Sequence, residues 1–197
     1  GWIQRADGSA DAELLLKTSR SVEGVEWMPD GRRFMAWLGS TNGGRDIVLA
    51  SEGDTAQRLL VSGPYDESAP AVSPDGRWFA YVTGESGRNE VFVRRVEDPG
   101  AGRTQVSVNG GEEPRWAPSG KELYFRTRAG EMMAAEVTLG ATFTARPPRV
   151  LFATPNAVTD NFHHAYDVSR DGRFLMVNQA ANEDGEPLFA LSRFPVL

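Results

Sequence analysis

The sequence predicts an all-β fold of repeated four-stranded antiparallel units, a β-propeller of about four blades, and three observations carry that prediction. First, one tight turn recurs as Met28-Pro29-Asp30-Gly31, Ser73-Pro74-Asp75-Gly76, Ala117-Pro118-Ser119-Gly120 and, in worn form, Ser169-Arg170-Asp171-Gly172, at spacings of 45, 44 and 52 residues. Second, the flanking residues correspond. Trp27, Val72, Trp116 and Val168 precede the turn; Phe34, Phe79, Leu123 and Leu175 align in the return strand, with Ala36, Tyr81, Phe125 and Val177 two residues on, on the same strand face. Third, each hairpin is followed by a third apolar run (Ile47-Val48-Leu49, Val91-Phe92-Val93, Met132-Met133-Ala134, Leu188-Phe189-Ala190). In three repeats a fourth run follows (Leu59-Leu60-Val61, Val106-Ser107-Val108, Val150-Leu151-Phe152). A single sheet of this kind cannot cover both of its apolar faces, so the units must stack around an axis.

Each element has a local reason. Ser-Pro-Asp-Gly suits a type I turn, with Pro setting φ at the second position and Gly taking the left-handed conformation that opens the return strand. At the start of the chain, Trp2-Ile3-Gln4 reads as a third strand and Glu13-Leu14-Leu15-Leu16 as a fourth, Leu15 lying 45 residues before Leu60. Ala10–Lys17 alone would suggest a helix start; the repeat register overrules it. The expected division is the end of a blade over 1–19, blades over 20–62, 63–109 and 110–154, and an incomplete blade over 155–197. Gly1-Trp2 reads as a cut inside a longer protein. Two assemblies fit: a closed four-bladed ring in which Leu14–Leu16 completes the last blade, or a half-propeller, cut from a larger ring or completed by a second copy as a homodimer. Trp2–Gln4 favours the homodimer, because it duplicates a third strand that the last blade already has.

The wording Ser73-Pro74-Asp75-Gly76-Arg77-Trp78-Phe79-Ala80-Tyr81 resembles the TolB-type repeat of bacterial WD-like propellers, and the resemblance runs from about Trp2 to the C-terminus. It implies a propeller and, as expectations, an interaction or sensor module. The third unit and its sequel, from Gly111-Glu112-Glu113-Pro114-Arg115-Trp116 through Phe143-Thr144-Ala145 to Arg149-Val150-Leu151-Phe152, is similar to the C-terminal propellers of bacterial Ser/Thr kinases.

Composition narrows the function classes. The chain has 197 residues, 40% of them apolar, and a net charge of −6, which argues against a nucleic-acid partner. No apolar run approaches the ~20 residues of a spanning helix, so no membrane segment is expected in this chain. Without cysteine there is no disulfide, thiolate metal site or Cys nucleophile, and the compartment stays open.

Catalytic patterns fail on inspection. Gly84-Glu85-Ser86-Gly87 lacks the spacing of a nucleophile elbow, and Ser119-Gly120-Lys121 lacks the glycine-rich cradle of a phosphate loop. His163-His164 are adjacent, so on an extended chain they point to opposite sides and do not share one metal. No catalytic residue, metal ligand or cofactor is expected. The segments leading into each first strand should open on one face of the disc, around the channel. They carry Glu23, Asp66, Glu67, Glu112, Glu113, Asn161, Phe162, His163 and His164, an acidic rim suited to a protein or peptide partner. The stretch from Phe152 to Tyr166 is the longest connection between units and adds to that face. A non-catalytic module binding a protein, peptide or small ligand on this face is therefore the expected function; the alternatives are an accessory to a hydrolase or lyase domain and a structural assembly unit.

Overall fold

The computed structural model describes residues 1–39, 44–53, 56–155, 157–158, 163–181 and 187–194, with the backbone course alone for 178–181 and 187–194. Its regular secondary structure is almost entirely strand. β1 (Trp2–Ile3) and β2 (Glu13–Leu14) pair as a hairpin. A four-stranded meander follows, of β3 (Val22–Trp27), β4 (Arg33–Gly39), β5 (Arg45–Ser51) and β6 (Gln57–Val61). The second meander comprises β7 (Glu67–Val72), β8 (Trp78–Thr83), β9 (Glu90–Arg95) and β10 (Arg103–Gln105). The third holds β11 (Glu112–Trp116), β12 (Glu122–Arg126), β13 (Glu131–Leu139), β14 (Phe143–Ala145) and β15 (Arg149–Ala153). The last sheet is β16 (Tyr166–Val168), β17 (Phe174–Ala181) and β18 (Pro187–Phe194). In the third sheet both β14 and β15 pair with β13, split by Arg146-Pro147-Pro148, whose prolines have no N–H to give a ladder.

The recurring turn forms as its residues require. Gly31, Gly76, Gly120 and Gly172 all have φ between 68° and 79°, and each donates its N–H back to the residue three before it, at 2.8–3.0 Å. The return strands then place alternate side chains on opposite faces. On β4, Phe34, Ala36 and Leu38 pack toward Leu15 and Leu16 of the hairpin, while Met35 and Trp37 join Phe79, Tyr81 and Phe92 of the second sheet. On β8 the other face, Trp78, Ala80 and Val82, meets Trp116, Leu123 and Phe125 of the third. Phe143 wedges between Trp78 and Trp116, its ring 5.7 and 6.1 Å from theirs, and Trp116 Nε1–H donates to the Ala71 carbonyl at 2.9 Å. Tyr124, Met132 and Ala134 close on Tyr166, Phe174 and Met176. Every sheet thus buries one face against the sheet before it; for each large apolar side chain that burial is worth about 1.5–3 kcal/mol.

Two features differ from expectation. In the last sheet Val168 pairs with Phe174, as Trp27 does with Phe34 and Val72 with Phe79, so Phe174 and not Leu175 is the repeat equivalent. The worn turn is one residue shorter, and a one-residue slip exchanges the two faces of a strand. Phe174 and Met176 are accordingly buried, whereas Leu175 is 45% exposed. In the second sheet the fourth strand lies at Arg103–Gln105, upstream of Val106-Ser107-Val108. There Val106 turns into the core, and the Ser107 hydroxyl caps the Val91 N–H. The pairing of β2 with β1, by contrast, follows the reading of Trp2–Gln4 as a third strand and Glu13–Leu16 as a fourth; it lies on the outer side of the first full sheet and does not complete the last one.

Candidate functional site

The first strands β3, β7, β11 and β16 each begin at the same end of their sheets, and the segments entering them carry the residues singled out above. Local irregularity shapes this end. Each of β3, β7 and β11 is interrupted near its start by a register shift, and Ala69 and Glu113 take φ of 46° and 55°, an unusual conformation for residues with a side chain. In β3 the corresponding residue is Gly24, over which the Trp37 indole lies.

The rim residues fall into three groups. Glu23 and Asp66 sit nearest solvent. Glu23 accepts the Ser21 hydroxyl at 2.7 Å, and its backbone carbonyl meets His163 Nε2 at 3.0 Å, so the segment before the last sheet lies on the first. Asp66 pairs with Arg45 at 2.8 Å. Glu112 and Glu113, expected on an open rim, are buried, because each fastens a junction between sheets. Glu112 accepts Asn89 Nδ2–H at 2.9 Å. Glu113 pairs with Arg126 at 3.3 Å, both side chains being 1% exposed, and also accepts the Ala165 N–H at 2.8 Å. Arg126 donates onward to the Val158 carbonyl at 2.6 Å, and Tyr166 donates its hydroxyl to the Glu113 carbonyl at 2.7 Å. His164 Nε2–H donates to the Pro114 carbonyl at 2.8 Å; burial, with Arg115 nearby, brings its pKa down to about 3, so this ring is neutral. Glu67 forms the third group. It is buried and among the described residues pairs with no cation; burial, followed by the charge of Asp46, pushes its carboxyl up to about 7. Asn161 and Phe162 lie outside the described residues.

Sequence reading missed the charged residues within the channel. One position before the aligned anchor, the first strands carry Glu26, Ala71, Arg115 and Asp167. Glu26 of the first full sheet and Arg115 of the third meet at 3.4 Å, and Glu26 also accepts the Val72 N–H. Burial raises the Glu26 carboxyl, and Arg115 opposes that rise. Arg115 Nε is buried with no hydrogen-bond partner. Asp167, exposed, accepts the Val168 N–H at 2.9 Å. Reading the repeat column one place before the anchor would have found all three, since only there does a first strand carry alternating charge. Among the described residues neither Glu23 nor Asp167 has an ion-pair partner.

Among the described residues no group of three or more His, Asp or Glu side chains is placed to hold a metal. An open groove of about 570 Å³, lined by residues including Lys121, Glu136 and Arg146, lies at the opposite end of the third sheet, away from this mouth.

No protein-family model matches the chain. Over 99 residues it is 28% identical to the uncharacterized protein Atu1656 of Agrobacterium fabrum, matching 50% of this chain and 33% of that one. Among solved structures, TolB from Acinetobacter baumannii superposes on 96% of this chain with a TM-score of 0.69 at 18% identity; the match covers 45% of TolB. The β-propeller domain of Cps50 (Swd1) from Myceliophteria thermophila covers 84% of the chain and 51% of its own length, with a TM-score of 0.54 at 13% identity. A puromycin-hydrolyzing peptidase of Mycobacterium tuberculosis matches 84% of the chain over 30% of its own length, with a TM-score of 0.57 at 21% identity. The chain thus spans less than half of TolB and a third of the curated relative it matches. With sheets, turns and neighbours in agreement, the fold is that of a TolB-like β-propeller.

Proposed function

We propose that this chain is a non-catalytic interaction module that binds a protein or peptide through a basic side chain at the channel mouth. The observation that carries the reading is the pair of carboxylates, Glu23 at the rim and Asp167 in the channel, that have no cation among the described residues. In a concave, partly desolvated setting such charge attracts a cation more strongly than the same charge on an open surface. The resemblance of the third unit to kinase-borne propellers supports a docking or sensing role. The test is fluorescence anisotropy with a labelled Gly/Lys peptide against its Gly/Glu counterpart. Saturable binding of the Lys peptide, weakened by salt and lost in Glu23→Gln/Asp167→Asn, is expected. Equal affinity for the two peptides, or binding unchanged in the double variant, refutes the reading.

A second reading concerns assembly. Apolar side chains stand open at both ends of the stack: Trp2 is 70% exposed on the hairpin, and Leu175 stands open on the last sheet. The proposed homodimer covers these faces. Light scattering at twice 21.5 kDa, reverting to monomer in Trp2→Ser/Leu175→Ser, is the expected result, and a wild-type monomer excludes it. A role beside a hydrolase domain draws its support from the peptidase among the structural neighbours. It predicts that the chain alone hydrolyses no peptide substrate.

A further inference from the structure

Glu67 differs from the other carboxylates of the rim in its company. Its side chain is buried, the whole residue being 4% exposed, and among the described residues its Oε2 has no hydrogen-bond partner. Among the described residues its side chain accepts a hydrogen bond from the Thr83 hydroxyl of β8, 3.4 Å from Oε1. Gly63, in the segment leading to β7, approaches so closely that a Cβ there would lie 3.2 Å from Oε1.

The charges that bear most on it are negative: Asp46 on β5, Asp66 beside it in the chain, and Glu85 in the turn after β8. Each of these has taken an arginine of its own. Arg20 holds Asp46 at 2.6 Å, Arg45 holds Asp66 at 2.8 Å, and Arg103 holds Glu85 at 2.5 Å. The strands β3 and β11 also pack against β7, and their carboxylates are engaged elsewhere, Glu26 by Arg115 and Glu112 by Asn89. A carboxyl in this position is far better accommodated neutral than charged. With its proton it is a compact polar group beside Thr83; without it, it is a fourth negative charge in a site that excludes water.

We propose that Glu67 is a proton-operated latch between the first and second full sheets, closed when protonated and loosened at the Gly63–Glu67 segment when the proton leaves. The mouth of the channel thereby responds to pH in the neutral range. This inference concerns the same rim as the binding reading, but it requires no ligand and survives that reading's failure.

The sign is fixed by linkage. A carboxyl whose folded pKa is raised from its ordinary 4.5 to about 7 contributes stability that is complete below the ordinary value and is lost as pH rises through the folded one. Each displaced unit is tenfold in the folded-to-unfolded ratio, so the loss between pH 4 and pH 8 is on the order of a hundredfold. His164 titrates in the opposite sense, so the latch must be read as a difference between variants.

The experiment is urea unfolding of wild type and Glu67→Gln at pH 5 and pH 8, with amide exchange of residues 63–67 followed in parallel. The expected result is that Glu67→Gln gains on wild type by on the order of a hundredfold in the folded-to-unfolded ratio between the two pH values. Exchange of the 63–67 amides, corrected for its intrinsic pH dependence, should accelerate with pH in wild type alone. A variant-minus-wild-type difference independent of pH overturns the proposal. If Glu67→Gln does not fold, the Glu67 side-chain carboxyl carbon is titrated by NMR in the wild type: a midpoint near 7 supports the latch, and a midpoint below 5 overturns it.

Discussion

Gly24 and Trp37 offer a test of how the repeat is built, because their fit can be worked through atom by atom. A Cβ at Gly24 would stand 2.7 Å from Trp37 Cε2 and nearer still to Cζ2 and Cη2. The indole is buried in the core shared by the first two full sheets, so it cannot give way as far as contacts this short demand. Gly24→Ala should therefore displace either the ring or β3, at a cost of about 1–3 kcal/mol. Trp37→Val removes the ring and leaves a cavity, a change of about 3–5 kcal/mol for buried aromatics. That cost is reduced here, because Trp37 Nε1–H is buried without a partner and its loss is favourable. The next repeat carries Ala69 and Val82 at the same two positions, a combination the fold already accommodates. In the Trp37→Val background, Gly24→Ala should thus cost less than about 0.5 kcal/mol, a coupling of at least ~0.5 kcal/mol between the two sites. Urea titration of the wild type, both single variants and the double variant measures this directly. Strictly additive costs, or a Gly24→Ala protein as stable as wild type, would refute the packing argument.

Two further predictions follow from the junction between the third and last sheets. Arg126→Met leaves Glu113 buried without its cation and should cost about 3–5 kcal/mol, whereas Glu113→Gln/Arg126→Met should recover at least ~1 kcal/mol of that, both measured by chemical unfolding. His164 is held neutral, with its pKa at about 3 against an ordinary 6.5, so its contribution to stability is present above pH 6.5 and is lost as pH falls toward 3. The stability advantage of wild type over His164→Gln should therefore shrink by on the order of 3 kcal/mol between pH 7 and pH 4 in unfolding titrations, and an advantage that does not change with pH would contradict the neutral ring.

The repeat, its turns and the alternation of its strands are legible in the chain before it folds, because these depend on neighbours close along it. Pro and Gly at set turn positions, and apolar residues at every second strand position, act whatever the sheet later meets. Even so, the last repeat was misread by one residue at Leu175, since the shorter turn shows only in the pairing of Val168 with Phe174. The candidate site was legible in part. The rim acids Glu23, Asp66, Glu67, Glu112 and Glu113 lie at the ends of the sheets where the repeat puts them, but which of them remains available depends on partners 13 to 52 residues away. Arg126 takes Glu113 and Asn89 takes Glu112, while Glu67 is left with three acids whose arginines are already engaged. The Glu26–Arg115 pair, 89 residues apart, is a contact across the channel that no local pattern encodes. Side-chain charge is set one residue at a time, but its compensation, and hence its chemistry, is decided only when stacked sheets bring distant carboxylates and guanidinium groups into one low-dielectric place.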